Sequence, residues 1–346
     1  MGTSSDSPQV RRVTAAEIAR RAGVTAATVS YVMNGRPGVS DATRYKILNL
    51  AEELGYIPSA LSVRLRSRHT RVIGAVLNDI AKSPFHDTEI AGGVIDAART
   101  MGYEVFIANT GRDHSRLKVV LQAMADRGVD GILTTILEEG DADLIRSLRK
   151  AHLPYVQITR RLPLVEADFV GTDSETAATD LMDHLIGVHG YRDLVLMGGP
   201  QRSSASKERE AGNQRAAETH GVKIAPTDRL SCELSEADSY RATMEMLKRR
   251  RIPRAIVCGA DVIAWGALAA LRDRGLRVPA DVAVTGFGGR EFLVSDASRL
   301  TTLQVPRQSI AVQAVSLLIN RISGNGGAYR SVLLPSPLKL GNTCGC

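Results

Sequence analysis

From Val72 onward, short apolar runs alternate with stretches of helical period. "VIGAVL", "YEVFIAN", "VDGILTT" and "PYVQIT" come first; after "DFVGTDS" follow "DLVLMGG", "RAIVCGA" and "VAVTGF". Compact apolar runs bounded by turn residues read as strands buried on both faces. Their alternation with helices predicts βαβ units in parallel, doubly wound sheets. The break at "DFVGTDS" divides the series into two lobes. Ligands in such folds sit outside the carboxyl ends of the strands, which places a candidate site in the crevice between the lobes.

The first 70 residues carry a different pattern. In "VTAAEIARRAGVTAATVSYVMNG", Thr14 followed by Glu17 has the spacing of a capping box, so a helix should begin near Ala15. Ile18, Ala19 and Ala22 recur at helical spacing, and Gly23 is a fitting stop because it accepts positive φ. Thr25 can cap a second helix over 26–34, with Val29 and Val32 on its inner face. Two short helices joined by a tight glycine turn must cross steeply, and small residues at the crossing bring the backbones together. The spacing Ala19-x3-Gly23-x5-Val29-x2-Val32 is that of a helix-turn-helix, whose second helix presents its N-terminal residues to base edges in the major groove. A third helix is expected after the Pro37-Gly38 turn and the Ser40 cap, with Tyr45, Leu48, Leu50, Ala51 and Leu54 as its apolar positions. The following "IPSALSVRLRSRHTR" is too short for a stable isolated helix; it is either a linker or a helix that forms on DNA.

Charge sharpens this reading. The chain of 346 residues has a net charge of +7, and its first 70 residues hold ten Lys/Arg against five Asp/Glu. A basic excess concentrated in the first fifth of the chain suggests a polyanion partner, nucleic acid first. No apolar run is long enough for a transmembrane helix, and "MGTSSDSPQVRR" lacks the apolar stretch of a secretory signal, so a cytoplasmic protein is expected.

Candidate chemistry is sparse. Cys232, Cys258, Cys344 and Cys346 have no zinc-finger spacing, and the seven histidines are scattered. "CGC" could hold a soft metal only with further convergent ligands; His184 and His189, five apart, would not share a face of an α-helix. The cysteines therefore read as free thiols, with no metal and no cofactor. "GGPQRSS" and "GFGG" lack the spacing of phosphate-binding loops and read as strand-end turns. There is no G-x-S-x-G elbow and no H-E-x-x-H, so no enzyme is expected.

These residues resemble the lactose-repressor/galactose-repressor (LacI/GalR) family of transcription regulators. The resemblance is carried by A-G-V-[ST], T-V-S, N-G, V-S-x-x-T-R and L-G-Y-x-P-[NS], in that order between Ala22 and Ser59, and it continues almost to the end of the chain. It implies that Ala26, Ala27 and Tyr31 face bases and that Thr14, Thr25, Ser30, Asn34 and Tyr56 lie near phosphates. Leu65 would wedge into the minor groove, and Thr28 and Ser59 complete the DNA-binding set. Many relatives carry Arg where this chain has Tyr31, and losing an arginine-to-guanine fork alters the half-site. The resemblance further implies a periplasmic-binding-protein-like core that dimerises and binds an effector at Ser83, Phe85, Thr159, Arg160, Arg209, Asp261 and Phe287. Ala260, Gly288 and Thr159 replace polar residues usual in sugar-binding relatives, which argues against a simple sugar.

The expected organisation is an arm at 1–12, an all-α headpiece at 13–57, a hinge helix or linker at 58–69, and an α/β core at 70–346. The N-lobe is expected near 70–168 plus 301–330 and the C-lobe near 169–300 plus 331–346. The function expected is a homodimeric repressor of a palindromic double-stranded operator, controlled by a small molecule of unknown identity, without a membrane partner. The alternative is a solute-binding protein of the same core fold; the headpiece argues against it.

Overall fold

The computed structural model describes residues 13–33, 36–54, 56, 69–78, 86–111, 113, 115–162, 165–249, 251–289, 293–295 and 298–346. Asn34, Ser59, Leu65, Ser83 and Phe85, with the expected arm and most of the expected hinge, lie outside the described residues. The chain divides into two compact units, residues 1–70 and 71–346.

In the first unit, α1 (Ala15–Ala22), α2 (Ala26–Met33) and α3 (Asp41–Glu53) pack around Ile18, Ala19, Ala22, Val29, Val32, Ile47 and Ala51. Thr14 Oγ1 accepts from the Glu17 amide at 3.3 Å, and the Glu17 carboxylate pairs with Arg20 and Arg21. Gly23 ends α1 at φ 71°, a left-handed conformation that costs a residue with a Cβ about 1 kcal/mol. The Ser40 hydroxyl caps α3. That helix buries Ile47 and Ala51, whereas Tyr45 and Leu48, read from the sequence as apolar-face positions, are exposed. Four residues before Ile47 or after it lie Thr43 and Ala51, so the buried stripe runs between Tyr45 and Leu48 rather than through them.

The second unit holds two six-stranded sheets. Its elements in chain order are β1 (Val72–Leu77), α4 (His86–Thr100), β2 (Glu104–Asn109), α5 (Ser115–Asp126), β3 (Gly131–Thr134), α6 (Ala142–Lys150), β4 (Tyr155–Ile158), β5 (Asp168–Thr172) and α7 (Ser174–Asp183). A π-helical turn, His184–Val188, extends α7. Then come β6 (Leu194–Gly198), α8 (Ser204–Thr219), β7 (Arg229–Ser231), α9 (Glu236–Arg249), β8 (Ala255–Cys258), α10 (Asp261–Asp273) and β9 (Ala283–Gly288). The short β10 (Leu293–Ser295) and β11 (Ser298–Arg299) form a ribbon; β12 (Thr301–Gln304), α11 (Arg307–Ile322), β13 (Ser331–Leu334) and β14 (Leu338–Lys339) complete the unit.

The sheet orders are β13-β5-β4-β3-β1-β2 and β14-β12-β9-β8-β6-β7. All neighbours pair in parallel except β12 and β14. The central strands are buried almost end to end, as expected when helices cover both faces. The chain crosses between lobes after β5, after β12 and after β13. The expected lobe boundaries cut short of these points. β5 and β13 belong to the N-lobe sheet and β12 to the C-lobe sheet, because each is held by its pairing partner rather than by the adjacent turn. Among the described residues, no helix is long and apolar enough to cross a membrane.

Candidate nucleic-acid interface and effector cleft

The headpiece surface is built by capping. Thr25 precedes α2, its Oγ1 accepts from the Thr28 amide at 3.1 Å, and the two hydroxyls lie 2.9 Å apart. Val29 and Val32 turn inward, so Thr25, Ala26, Ala27 and Tyr31 are left exposed, with Thr28 and Ser30 half-buried beside them. Two methyl side chains at the start of α2 allow its backbone to approach a groove closely, and Tyr31 is the first large exposed group. Arg36 stands 5.6 Å from the Tyr31 ring centroid, a cation beside that aromatic face. Thr14 is exposed at the start of α1, and the half-buried Tyr56 is tied back by its amide to the Ala51 carbonyl at 2.8 Å. The surface is therefore small, hydroxylic and cationic, with helix N-termini adding amide donors suited to phosphate oxygens.

The second site lies where the C-lobe strands end. Arg209 on α8 donates from Nη1 to the Gly259 carbonyl at 2.6 Å, and its guanidinium carbon is 3.7 Å from the Phe287 ring centroid. Its Nε is buried without a hydrogen-bond partner among the described residues. Burial pushes its pKa down to about 10, with Glu208 and Asp261 opposing and Arg160 and Arg307 adding to the fall; the group is still a cation at neutral pH. Asp261, at the start of α10, is buried and accepts from Thr302 Oγ1 at 2.5 Å. A Cβ at Gly288 would come within 2.6 Å of the Asp261 carboxylate, so the glycine that stands where relatives carry Asp is required by this packing. The pocket behind Arg209 is lined by Gly199, Ser206, Glu210, Asn213 and Gly259 among others.

The N-lobe meets this surface through charges. Arg202, after β6, forks onto Glu233 at 2.7 and 2.8 Å and reaches Glu138 of the N-lobe at 2.9 Å. Arg161, after β4, pairs with Glu208 at 2.9 Å, while its amide donates to Ser204 Oγ at 3.0 Å. Burial raises the Glu208 pKa more than Arg161 lowers it. Arg160 faces Glu138 at 3.8 Å. Thr159 adopts φ 61° and donates its amide to the Val170 carbonyl.

Thus Arg209, Asp261 and Phe287 converge, Arg160 stands within electrostatic reach, and Thr159 shapes the backbone beside them. Sequence reasoning missed Arg307, Glu138, Arg161–Glu208 and Arg202. Nothing in their local sequence marks them, since each gains its partner only across an interface between distant segments. It also misjudged one pair of histidines. His184 and His189 do share a face, with Nε2 atoms 3.2 Å apart, because the turn between them is π-helical and pairs residues five apart.

A family model described as "Periplasmic binding proteins and sugar binding domain of LacI family" matches residues 70–341, and one described as "Bacterial regulatory proteins, lacI family" matches residues 14–59. The chain belongs to the LacI family. It is a DNA-binding transcription regulator, not an enzyme. It is 28% identical over 309 residues to the HTH-type transcriptional repressor PurR of Erwinia tasmaniensis, covering 89% of each chain. A solved structure of the transcriptional regulator CelR in complex with cellobiose superposes with a TM-score of 0.73 at 28% identity, covering 96% of this chain and 100% of the other. The Lac repressor dimer bound to operator and the anti-inducer ONPF superposes with a TM-score of 0.85 at 24% identity, covering 96% and 99%.

Proposed function

We propose that this LacI-family chain works in the cytoplasm as a homodimeric repressor of a palindromic operator, and that a small molecule held between its lobes sets its affinity for DNA. Thr25, Ala26, Ala27, Thr28, Ser30 and Tyr31 of the α2 segment meet the major groove, and Thr14 and Tyr56 flank it at the phosphates. The positions at Asn34, Ser59 and Leu65 join this set on the resemblance alone. The basic excess of the first 70 residues supplies the salt-dependent part of the affinity. The effector lies against Arg209, Phe287 and Asp261, with Thr159 and Arg160 from the facing lobe; Ser83 and Phe85 complete this set on the resemblance. The observation that carries the effector assignment is the Arg209 Nε donor, buried and unpartnered beside an aromatic face. A desolvated guanidinium donor favours an acceptor oxygen on the ligand, and a carboxylate meets that better than a neutral sugar hydroxyl. The PurR and Lac repressor names fit a repressor rather than an activator.

Two experiments test this. An operator is selected from a random DNA pool, and metabolites are screened for those that shift its binding. A truncated chain beginning at Arg71 should keep its fold and its oligomeric state and lose the selected operator. Equal operator affinity in the truncated and full-length chains would overturn the headpiece assignment. Arg209→Ala should leave affinity for DNA without effector near normal and weaken the effector response about 10- to 100-fold, the scale of a charged hydrogen bond. An unchanged effector titration would remove Arg209 from the site.

A further inference from the structure

Four side chains from two segments of the chain meet at the edge of the C-lobe farthest from the effector cleft. His184 and His189 bracket the π-helical turn, and Cys344 and Cys346 come from the stretch beyond β14. Both histidines present Nε2. The Nε2 atoms are 3.2 Å apart, the two Sγ atoms 3.4 Å, Cys346 Sγ lies 3.4 Å from each Nε2, and Cys344 Sγ lies 3.7 Å from that of His184. All four ligand atoms fall within 4.8 Å of one another.

Five of the six spacings are close to the edges of a metal-centred tetrahedron, and the sixth, Cys344 Sγ to His189 Nε2, is no longer than 4.8 Å. With zinc–sulfur and zinc–nitrogen bonds of about 2.3 and 2.05 Å, tetrahedral geometry sets edges of about 3.8 Å between sulfurs, 3.4 Å between nitrogens and 3.6 Å between sulfur and nitrogen. The five measured separations lie within a few tenths of an ångström of those edges. Without a cation, Cys346 Sγ has one weak donor proton for three close neighbours, and the two imidazole Nε2 atoms face each other, where at most one of them can donate to the other. A cation at the centre would take a lone pair from each.

The surroundings hold the ligands in place. Gly345 sits at φ 107°, which lets both cysteines turn to one side, and a Cβ there would approach the Tyr191 hydroxyl to 2.9 Å. That hydroxyl donates to the Cys344 carbonyl at 2.8 Å, and the Tyr191 ring stacks on His189 with centroids 5.1 Å apart. Thr301 Oγ1 lies 3.1 Å from the buried Cys344 Sγ, positioned to support a thiolate from outside the ligand set. Thr343 is fixed to β9, its Oγ1 donating to the Val284 carbonyl at 2.7 Å.

We propose that His184, His189, Cys344 and Cys346 form a structural site for a thiophilic divalent cation, zinc first, which fastens residues 343–346 to the end of α7. A closed Cys2His2 set leaves no position for substrate, so the site is structural. Its place at the amino ends of the C-lobe strands separates it from Arg209 and the effector.

The test uses the full chain, stripped of metal under a non-thiol reductant and titrated with Co2+. One equivalent should produce the intense visible bands of tetrahedral cobalt with sulfur-to-cobalt charge transfer in the near ultraviolet, and Zn2+ should displace it one for one. Zinc in excess should raise the thermal midpoint by about 5 °C or more, because it binds the folded form. Cys346→Ser and His189→Asn, at the exposed cysteine and a half-buried histidine, should abolish the charge-transfer band and the zinc-dependent shift and leave the metal-free midpoint near that of the parent. A pale octahedral cobalt spectrum, or the parent spectrum persisting in both variants, would overturn the proposal. If a variant fails to fold, the spectrum and zinc stoichiometry of the parent chain decide.

Discussion

Val29→Asp will abolish operator binding while residues 71–346 go on melting as before. Val29 is fully buried on α2, in a core of seven mostly small residues. Its burial is worth about 1.5 kcal/mol or more, and an unpaired carboxylate in its place adds a penalty of several kcal/mol. A domain this small holds only a few kcal/mol in reserve. The substitution therefore exceeds the stability of the whole headpiece, and α2 loses the geometry that presents Ala26, Ala27 and Tyr31. Operator affinity at fixed salt should fall about 1,000-fold or more, to the level of non-specific binding. The check pairs an operator titration with differential scanning calorimetry, in which the headpiece transition disappears and the core transition stays. Operator affinity within threefold of the parent would show that Val29 is not a core residue. Glu52→Gln, exposed on α3 and outside the DNA-contact set, serves as the folded control.

Arg321→Ala should cost the core about 3–5 kcal/mol, the penalty of stranding a buried charge. The Asp168 carboxylate, 1% exposed, accepts from Arg321 Nε at 2.5 Å, from Nη2 at 3.0 Å and from the Arg330 amide at 2.8 Å. It thereby joins the start of β5, the end of α11 and the approach to β13. Removing the guanidinium leaves one backbone donor for an anion sealed from water. The arginine also stacks on Tyr329, 4.3 Å from the ring centroid, so packing is lost along with charge. A denaturant midpoint measured on the full chain reads the loss. Asp168→Asn combined with Arg321→Ala should cost less than the two single changes summed, since the stranded charge is gone. A loss below about 1 kcal/mol for Arg321→Ala would mean that Asp168 is hydrated.

Much of this was legible in the sequence where a local pattern states a global fact. "VIGAVL" becomes β1 residue for residue, because a strand buried on both faces must be apolar throughout. Thr14, Gly23, Thr25 and Ser40 announce helix ends through chemistry that acts within four residues. β13 and β14 were not legible: they are short edge strands with alternating or partial exposure, defined by partners more than 100 and about 35 residues away. Arg209, Asp261 and Phe287 entered through resemblance; their convergence depends on α8, α10 and β9 meeting, which no spacing encodes. His184 and His189 were misplaced because five residues span a face in a π-turn and not in an α-helix. Nothing in "MDHLIGVHGY" signals the extra residue per turn.

The triple crossing between lobes also bears on how the chain is made. Neither sheet can be finished early in synthesis. β5 receives its outer neighbour only when residues 331–334 emerge, and β12 only when residues 338–339 do. Until then two strand edges stand unpaired, and the N-lobe lacks α11 over β3, β4 and β5 until residue 322 has left the ribosome. At about 5–20 residues per second, the roughly 160 residues that separate β5 from β13 keep that edge open for some ten to thirty seconds. Open strand edges are sites of mispairing between chains. Nascent copies of this regulator thus spend nearly half of their synthesis with that edge open, and a chain stalled shortly before Ser331 would expose both edges at once.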